Sequence, residues 1–581
     1  MENTTQLYKI RHSLAHLLAI AALEHDPGAK LTIGPVIDNG FYYDIDFSEG
    51  KAPTPEDIKK IQKTMKKLAG RKLPFTKRTL TDDEAKKMFA DNPYKMELIE
   101  GIMKEGEKAT VYDTGEFTDL CEGPHVENTG EIDTDAFKLD KIAGAYWRGS
   151  EKNKMLTRIY GLAFETGKDL DDYLAMIEEA KKRDHRKLGK DLDLFTFSDL
   201  VGPGLPLWTP KGTVLREQLD GFVRQLRDEH GYQRVTIPHI TKKALYETSG
   251  HWAKFSEELF KITTREGKEY AMKPMNCPHH TQIYARTQWS YRDLPQRYAE
   301  TTMVYRDEQS GELGGLTRVL SITQDDAHVF ARASQIKEEI FSIWDIIGTL
   351  YKTFGFELRV RLSFHDPEHF EKYLGTKEIW EKAENSIRDI AKAREANYFE
   401  AQGEAAMYGP KLDFMAKDSL GREHQVATIQ LDMNLPERFD LFCINETGEK
   451  ERIVMIHCAI MGSIERFTAV LLEHLGGVLP FRFSPVQVWV LPISDAHNEY
   501  AKTVFDILKK SGVRAEFHDE SETLGKKIRN GKLQKIPYLL VIGDKEVEDK
   551  TVTLESHTEG NDSFPTPLSP LIKTDKSVGA T

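Results

Sequence analysis

Arg297-Tyr-Ala-Glu-Thr-Thr-Met-Val-Tyr-Arg306-Asp-Glu308 runs into Gln309-Ser-Gly311-Glu-Leu-Gly314-Gly315-Leu-Thr-Arg318 and then Val319-Leu-Ser-Ile-Thr323. The apolar and β-branched flanks around a glycine-rich centre predict a strand, a loop and a second strand. Far downstream, Gly462-Ser463-Ile-Glu465-Arg466-Phe467 opens an apolar helix that the pair Gly476-Gly477 should stop. One arginine thus closes a strand before a loop, and another sits in the first turn of a helix. Both placements suit phosphate, because a guanidinium fork binds oxyanions bidentately and a helix N-terminus adds partial positive charge. The alternative for either arginine alone is a structural ion pair.

Outward from this segment, Leu215, Leu219, Phe222 and Leu226 mark one face of a helix. Tyr232-Gln-Arg-Val-Thr-Ile-Pro238 then reads as a strand. After Ser484, the apolar run Val486 to Leu491, the helical set Tyr500/Val504/Ile507/Leu508 and the run Tyr538 to Ile542 alternate strand with helix. That order predicts a small α/β domain with a largely parallel sheet. Asp169 to Lys187 reads as a polar connecting helix ending in Lys181-Lys182-Arg183-Asp184-His185-Arg186-Lys187, a charge run whose ordinary role is a solvated face.

Two sets of soft ligands stand apart. His12-Ser-Leu-Ala-His16 places two imidazoles one helical turn apart, on the face opposite Leu7, Ile10, Leu14, Leu17, Leu18 and Ala21, and Cys121-Glu-Gly-Pro-His125 repeats the spacing. Four such groups suit tetrahedral zinc, a polar catalytic pocket would use the same residues, and a surface coincidence is the third alternative. Cys277, His328 and His457 form a second set, three ligands of the kind that leave zinc one open position.

With 581 residues the chain is long enough for about four domains. Its 39% hydrophobic and 30% charged residues mark a packed globular protein. The 80 basic and 93 acidic residues leave a formal charge of −13, which disfavours a general DNA coater but permits local basic stripes for a polyanion. No run is long and apolar enough for a membrane helix, and Met1 to Lys9 lacks a signal-peptide layout. The protein is expected in the cytoplasm, with its four cysteines as thiols. The last ~25 residues read as a loose tail.

The Pro238 helix and strand, the Arg306 hairpin and the Gly462 to Arg466 helix resemble the three motifs of class II aminoacyl-tRNA synthetases. With the two ligand sets added, the chain resembles the threonyl-tRNA synthetases over nearly its whole length. The resemblance implies an α+β multidomain protein: an editing domain over 1–167, a linker helix over 168–187, a class II antiparallel-sheet catalytic core over 188–482 and an α/β anticodon-binding domain over 483–581. It implies activation of threonine by ATP with Mg2+, transfer to tRNA(Thr) and hydrolysis of mischarged seryl-tRNA(Thr), in a homodimer. Arg306 would hold the α-phosphate and Arg466 the γ-phosphate, with Glu308 near the adenine and His251 assisting transfer. Met275, Arg318, Gln324, Asp326, Tyr408, Lys411, Gln425, Gln430 and Ser463 would line the ATP and substrate pocket. Zn2+, one per subunit on Cys277, His328 and His457, would take the threonine amino group and hydroxyl, since a hydrophobic pocket rejects the near-isostere valine only about 10²-fold. Serine keeps the hydroxyl and lacks one methyl, worth only ~1 to 3 kcal/mol, so a second, hydrolytic site is needed. His12, His16, Lys95, Asp119, Cys121 and His125, with Tyr43, would form it, and the family implies that it works without metal. The basic helix near Lys181 would lie along tRNA.

Some positions depart from the family pattern. The family's extra N-terminal domain of about 60 residues is expected to be missing, because His12 comes almost at once. His279-His280 follows the Cys-Pro where a glycine is usual and should place an extra imidazole near the metal, while His424 and Cys458 stand where Trp and Arg are common. Thr551 to His557 lacks the arginines typical of the last strand. Two other readings use the same residues: a synthetase-like RNA-binding regulatory protein without catalysis, and a zinc hydrolase built on the His12 pair. The second lacks the glutamate a metalloprotease helix uses as base, since Ser13 stands there.

Overall fold

The computed structural model describes residues 5–556, so the tail and His557 lie outside the described residues. The chain divides into two compact units, Met1–Glu179 and Ala180–Thr581. Among the described residues no helix is long and apolar enough to cross a membrane. All four cysteines are free.

In the first unit, helix α1 (Gln6–His25) is capped by the Thr5 side chain, which accepts from the Tyr8 N–H. It packs on an antiparallel sheet of β1 (Gly40–Asp46), β2 (Phe137–Tyr146) and β3 (Met155–Ala163), with β3 in the middle. The expected division of α1 into an apolar and a histidine face is corrected: Ala15, His16 and Ala19 are as buried as Leu14 and Leu18. The small alanines let protein close over this side of the helix, so a polar pocket forms inside the unit instead of at its surface. A separate three-stranded sheet, Phe75–Thr79, Thr110–Thr114 and Phe117–Leu120, supplies the opposing residues.

The expected single connecting helix is two. One spans Gly167–Lys182, and after a break α2 covers His185–Asp191, capped by Asp184. The basic run is therefore not one solvated face, since His185 is buried.

The second unit is built on an eight-stranded sheet, preceded by α3 (Pro210–Glu229). Its centre is β4 (Gln296–Tyr305), β5 (Ser321–Ala331), β6 (Lys411–Lys417), β7 (Glu423–Asp432) and β8 (Val454–Ser463), in the spatial order β4-β5-β8-β7-β6, every neighbour antiparallel. Leu215, Leu219 and Val223 of α3 share one apolar core with Ile340, Ile343 and Ile347 of the helix Ile336–Thr353. Helix α4 (Ile464–Leu475) joins them through Leu471 and Leu472. The predicted strand from Tyr232 to Pro238 shrinks to Gln233–Arg234, which pairs in parallel with β4. Pro238 has no N–H to give a ladder, which accounts for an early end. The C-terminal sheet follows its prediction: β9 (Val488–Pro492) runs parallel to both Ala515–Phe517 and β10 (Tyr538–Ile542), with Thr553–Ser556 antiparallel at the edge.

Candidate functional site

The antiparallel register assembles the site in the second unit. His328 on β5 stands directly opposite His457 on β8, and His457 is opposite Gln430 on β7. Cys277, first residue of the helix Cys277–Tyr284, approaches from outside the sheet. One ligand atom from each of Cys277, His328 and His457 lies within 4.8 Å of the others, and all three residues are buried.

Two cavities open along this sheet. The first, about 410 Å³, is lined by Arg306, Glu308, Thr317, Arg318, Gln425, Ser463 and Arg466, and the second, about 360 Å³, by Met275, Cys277, Asp326, His328, Tyr408, Lys411, Gln430 and His457. Arg306, Gln324 and Thr428 belong to the walls of both. The structural-ion-pair alternative fails for both arginines, because among the described residues neither Arg306 nor Arg466 forms one. Arg306 only reaches the Pro274 carbonyl, at 3.5 Å, and covers the Phe255 ring. Desolvation, and then the like charge of Arg318, lowers the pKa of Arg466, so this wall calls for an anion. Ser463 caps α4 by accepting from the Arg466 N–H at 3.0 Å. Arg318 is committed to Glu308 at 2.6 Å and Glu312 at 2.9 Å.

The second chamber carries fixed polar groups. The Tyr408 hydroxyl donates to Gln430 at 2.6 Å, Asn276 donates to Asp326 at 2.9 Å, and Lys411 pairs with Asp413 at 3.2 Å. On the first chamber's wall, Arg361 holds the Gln425 side-chain carbonyl at 2.8 Å.

The donor chemistry of Cys277, His328 and His457 fits zinc. His457 Nε2 is bound to the Asp432 carboxylate at 2.9 Å, which leaves Nδ1 as its free donor. His328 Nδ1 lies 2.8 Å from His280 Nδ1, which leaves Nε2. Metal-binding histidines commonly have such outer partners. Burial drives the His328 pKa well down, which keeps the imidazole neutral, and drives the Cys277 thiol well up, as expected for a buried sulfur without a cation.

The other residues singled out in the sequence take the following places. His251 is fully buried and lines neither chamber; its Nδ1 meets Ser249 Oγ at 2.8 Å and its Nε2 meets Met275 Sδ at 3.1 Å. Burial lowers its pKa to about 3. Of the pair His279-His280, His280 places an imidazole against His328, while neither ring nitrogen of His279 has a hydrogen-bond partner among the described residues and its ring faces Tyr246. Cys458 sits 3.8 Å from the Tyr232 hydroxyl, and His424 binds Asp418 at 3.0 Å. Sequence reasoning missed Thr428 and Asp432. With Gln430 they alternate along β7, and that period of two was the available signal.

The first unit holds its own cavity, about 490 Å³, lined by His12, His16, Tyr43, Lys95, Asp119 and Cys121. Lys95 and Asp119 form an ion pair at 2.7 Å with both side chains only 3% exposed, and the Tyr43 hydroxyl donates to Asp119 at 2.5 Å. Cys121 Sγ lies 3.4 Å from His12 Nε2 and 3.2 Å from His125 Nε2, while His12 Nδ1 donates to the Pro124 carbonyl at 3.2 Å. Ser13 Oγ holds the other nitrogen of His125 at 3.1 Å. Burial lowers the pKa of His12, His16 and His125, and pushes the Cys121 thiol up to about 12. The four ligand atoms lie within 4.8 Å of one another, close enough for a metal, and a neutral imidazole cluster beside a buried ion pair equally suits a water-activating pocket.

Comparison with known proteins agrees with this layout. The family described as tRNA synthetase class II core domain (G, H, P, S and T) matches residues 260–475. The anticodon binding domain family matches 487–574, and the threonyl and alanyl tRNA synthetase second additional domain matches 109–160. A protein of Flavobacterium johnsoniae described as a threonine–tRNA ligase is 50% identical over 549 residues, 94% of this chain and 84% of that one. One of Porphyromonas gingivalis, described likewise, is 50% identical over 555 residues, 95% of this chain and 84% of that one. Among solved structures, the RNA binding domain of threonyl-tRNA synthetase from Cryptosporidium parvum has a TM-score of 0.62 and 42% identity, covering 64% of this chain and 93% of that one.

Proposed function

This chain belongs to the threonyl-tRNA synthetase family, and from that premise we propose that it attaches threonine to tRNA(Thr) through a threonyl adenylate and hydrolyses seryl-tRNA(Thr). The observation that carries the reading is the shared wall of the two chambers, Arg306, Gln324 and Thr428. With ATP and Mg2+ in the first chamber and the amino acid in the second, the amino acid carboxylate and the α-phosphorus meet beside Arg306. The carboxylate oxygen attacks phosphorus, the bond to pyrophosphate breaks, and Arg306 and Arg466 offset the charge on the two departing ends. Neither guanidinium has a carboxylate partner among the described residues to give up first. In the second step a ribose hydroxyl at the tRNA 3′ end attacks the activated carbonyl, and AMP leaves.

Cys277, His328 and His457 would hold zinc, which supplies a Lewis-acid position for a ligand bearing amine and hydroxyl. Tyr408, Gln430 and Asp326 orient the amino acid around it. In the first unit, Lys95, Asp119 and the His12, His16 and His125 imidazoles hold the mischarged ester and the water that hydrolyses it. The C-terminal α/β domain reads the tRNA anticodon, and two copies of the chain associate as a dimer.

Exchange of labelled pyrophosphate into ATP tests the reading. Threonine should support exchange, serine more weakly, and valine not at all. No exchange with threonine would leave an RNA-binding protein without catalysis as the better account.

A further inference from the structure

His185, Asp184 and Glu473 are close enough to hold a cation, yet both ring nitrogens of His185 are occupied. Nδ1 lies 2.7 Å from Glu473 Oε1, and Nε2 accepts from the Leu316 backbone N–H at 3.1 Å. A backbone N–H can only donate, so Nε2 carries the lone pair and Nδ1 carries the proton given to Glu473. The His185 N–H also donates to Glu473, at 3.2 Å, and Arg422 holds the second carboxylate oxygen at 2.7 Å. His185 is buried and its hydrogen bonds are satisfied, so this cluster is a brace and not a metal site.

What it braces is specific. Leu316 lies in the tight turn Gly314 to Arg318, closed by Gly314 N–H to Arg318 O at 3.2 Å and Thr317 N–H to Gly314 O at 2.9 Å. Thr317 and Arg318 of that turn line the first chamber. Glu473 sits near the end of α4, whose first turn puts Arg466 on the same chamber. One imidazole therefore ties the loop wall to the helix wall. Gly315 allows the contact: its φ is +54°, and a Cβ there would lie 2.3 Å from His185 Nε2.

We propose that His185 is a positioning residue for ATP, setting the height of the Gly314 to Arg318 turn over α4. The inference rests on the first chamber being the ATP site. It requires that loss of the Leu316 bond weaken ATP binding and leave threonine binding and the chemical step alone.

Two substitutions separate the two nitrogens. In His185→Asn the amide can replace Nδ1 toward Glu473 but cannot reach Leu316, whereas in His185→Gln the carbonyl oxygen can stand in for Nε2. In pyrophosphate exchange by the full chain, His185→Asn should raise the ATP KM about five- to tenfold, the usual worth of one buried hydrogen bond, with kcat and the threonine KM within twofold. His185→Gln should stay within about threefold of the unsubstituted chain. Gly315→Ala, which pushes on the contact from the loop side, should repeat the Asn pattern and serves if His185→Asn does not fold. An unchanged ATP KM in a folded Asn or Gly315→Ala variant overturns the inference, as does a parallel rise in the threonine KM. A Gln variant as impaired as Asn overturns it too. Absence of exchange in the unsubstituted chain would instead overturn the ATP reading, and this inference with it.

Discussion

His280 Nδ1 and His328 Nδ1 lie 2.8 Å apart in a place from which both residues exclude water. One nitrogen must donate and the other accept, so the pair fixes which atom of His328 is left to bind. Behind it, His280 Nε2 and Glu300 Oε2 have no hydrogen-bond partner among the described residues and stand 3.9 Å apart. The arrangement is a carboxylate, an imidazole and the imidazole proposed to hold zinc, in series. We expect His280→Phe to weaken zinc retention about 10- to 100-fold, the usual cost of losing an outer partner. Competition with a chromophoric chelator would measure it, and unchanged retention would remove His280 from the metal site's design.

Among the described residues Arg306 and Arg466 make no ion pair, so removing either guanidinium should cost catalysis and little stability. Arg306→Ala should lower kcat/KM for pyrophosphate exchange by about 10²- to 10³-fold, the range seen when one preorganised charge-stabilising donor is lost. The thermal midpoint should move by less than about 2 °C, as for a side chain without a buried partner. A large drop in midpoint would mean that the arginine is structural after all.

The buried Lys95 and Asp119 pair makes a different prediction. Lys95→Met leaves a carboxylate in a site where both side chains are 3% exposed, and breaking such a pair from one side costs about 3 to 5 kcal/mol. Adding Asp119→Leu removes the stranded charge and should recover most of that stability in a denaturant titration. Hydrolysis of seryl-tRNA(Thr) should stay lost in the double variant. Recovery of hydrolysis together with stability would show that the pair only holds the pocket together.

Burial lowers the pKa of His12, His16 and His125 below the ordinary 6.5, so the unfolded chain binds more protons than the folded one in mildly acidic solution. Stability contributed by keeping these rings neutral is therefore present above pH 6.5 and is lost as pH falls below it toward the folded values. Each such histidine adds a slope of up to about 1.4 kcal/mol per pH unit. Urea midpoints at pH 7.5 and 5.5 should differ clearly, and His16→Gln should narrow the difference. Equal narrowing by an exposed-histidine control, such as His369→Gln, would argue against this origin.

Much of this was readable in advance. The hairpin around Arg306, the helix capped by Ser463 and ended by Gly476, and the parallel C-terminal sheet follow from local patterning, and each formed as read. The spacing of His12 with His16 and of Cys121 with His125 correctly marked four groups that converge. Their burial was not readable, because alanines at positions 15 and 19 permit either solvent or close packing on that face. His251, marked in the chain, meets Met275 Sδ and lies 4.0 Å from Cys277 Sγ in the fold, contacts that no local pattern announces.

The residues and their spacing by themselves determined the kinds of chemistry available: two arginines at a loop and a helix start, three soft ligands, and a second cluster near the N-terminus. Only the tertiary structure decided that the arginines have no ion-pair partner among the described residues, that two chambers meet at Arg306, and that His185 spans from α4 to the Gly314 to Arg318 turn. Those facts depend on antiparallel register and on contacts between residues more than a hundred positions apart, such as His185 with Leu316 and Glu473. Local periodicity carries information about a residue's own helix or strand, and none about which distant side chain will stand across from it.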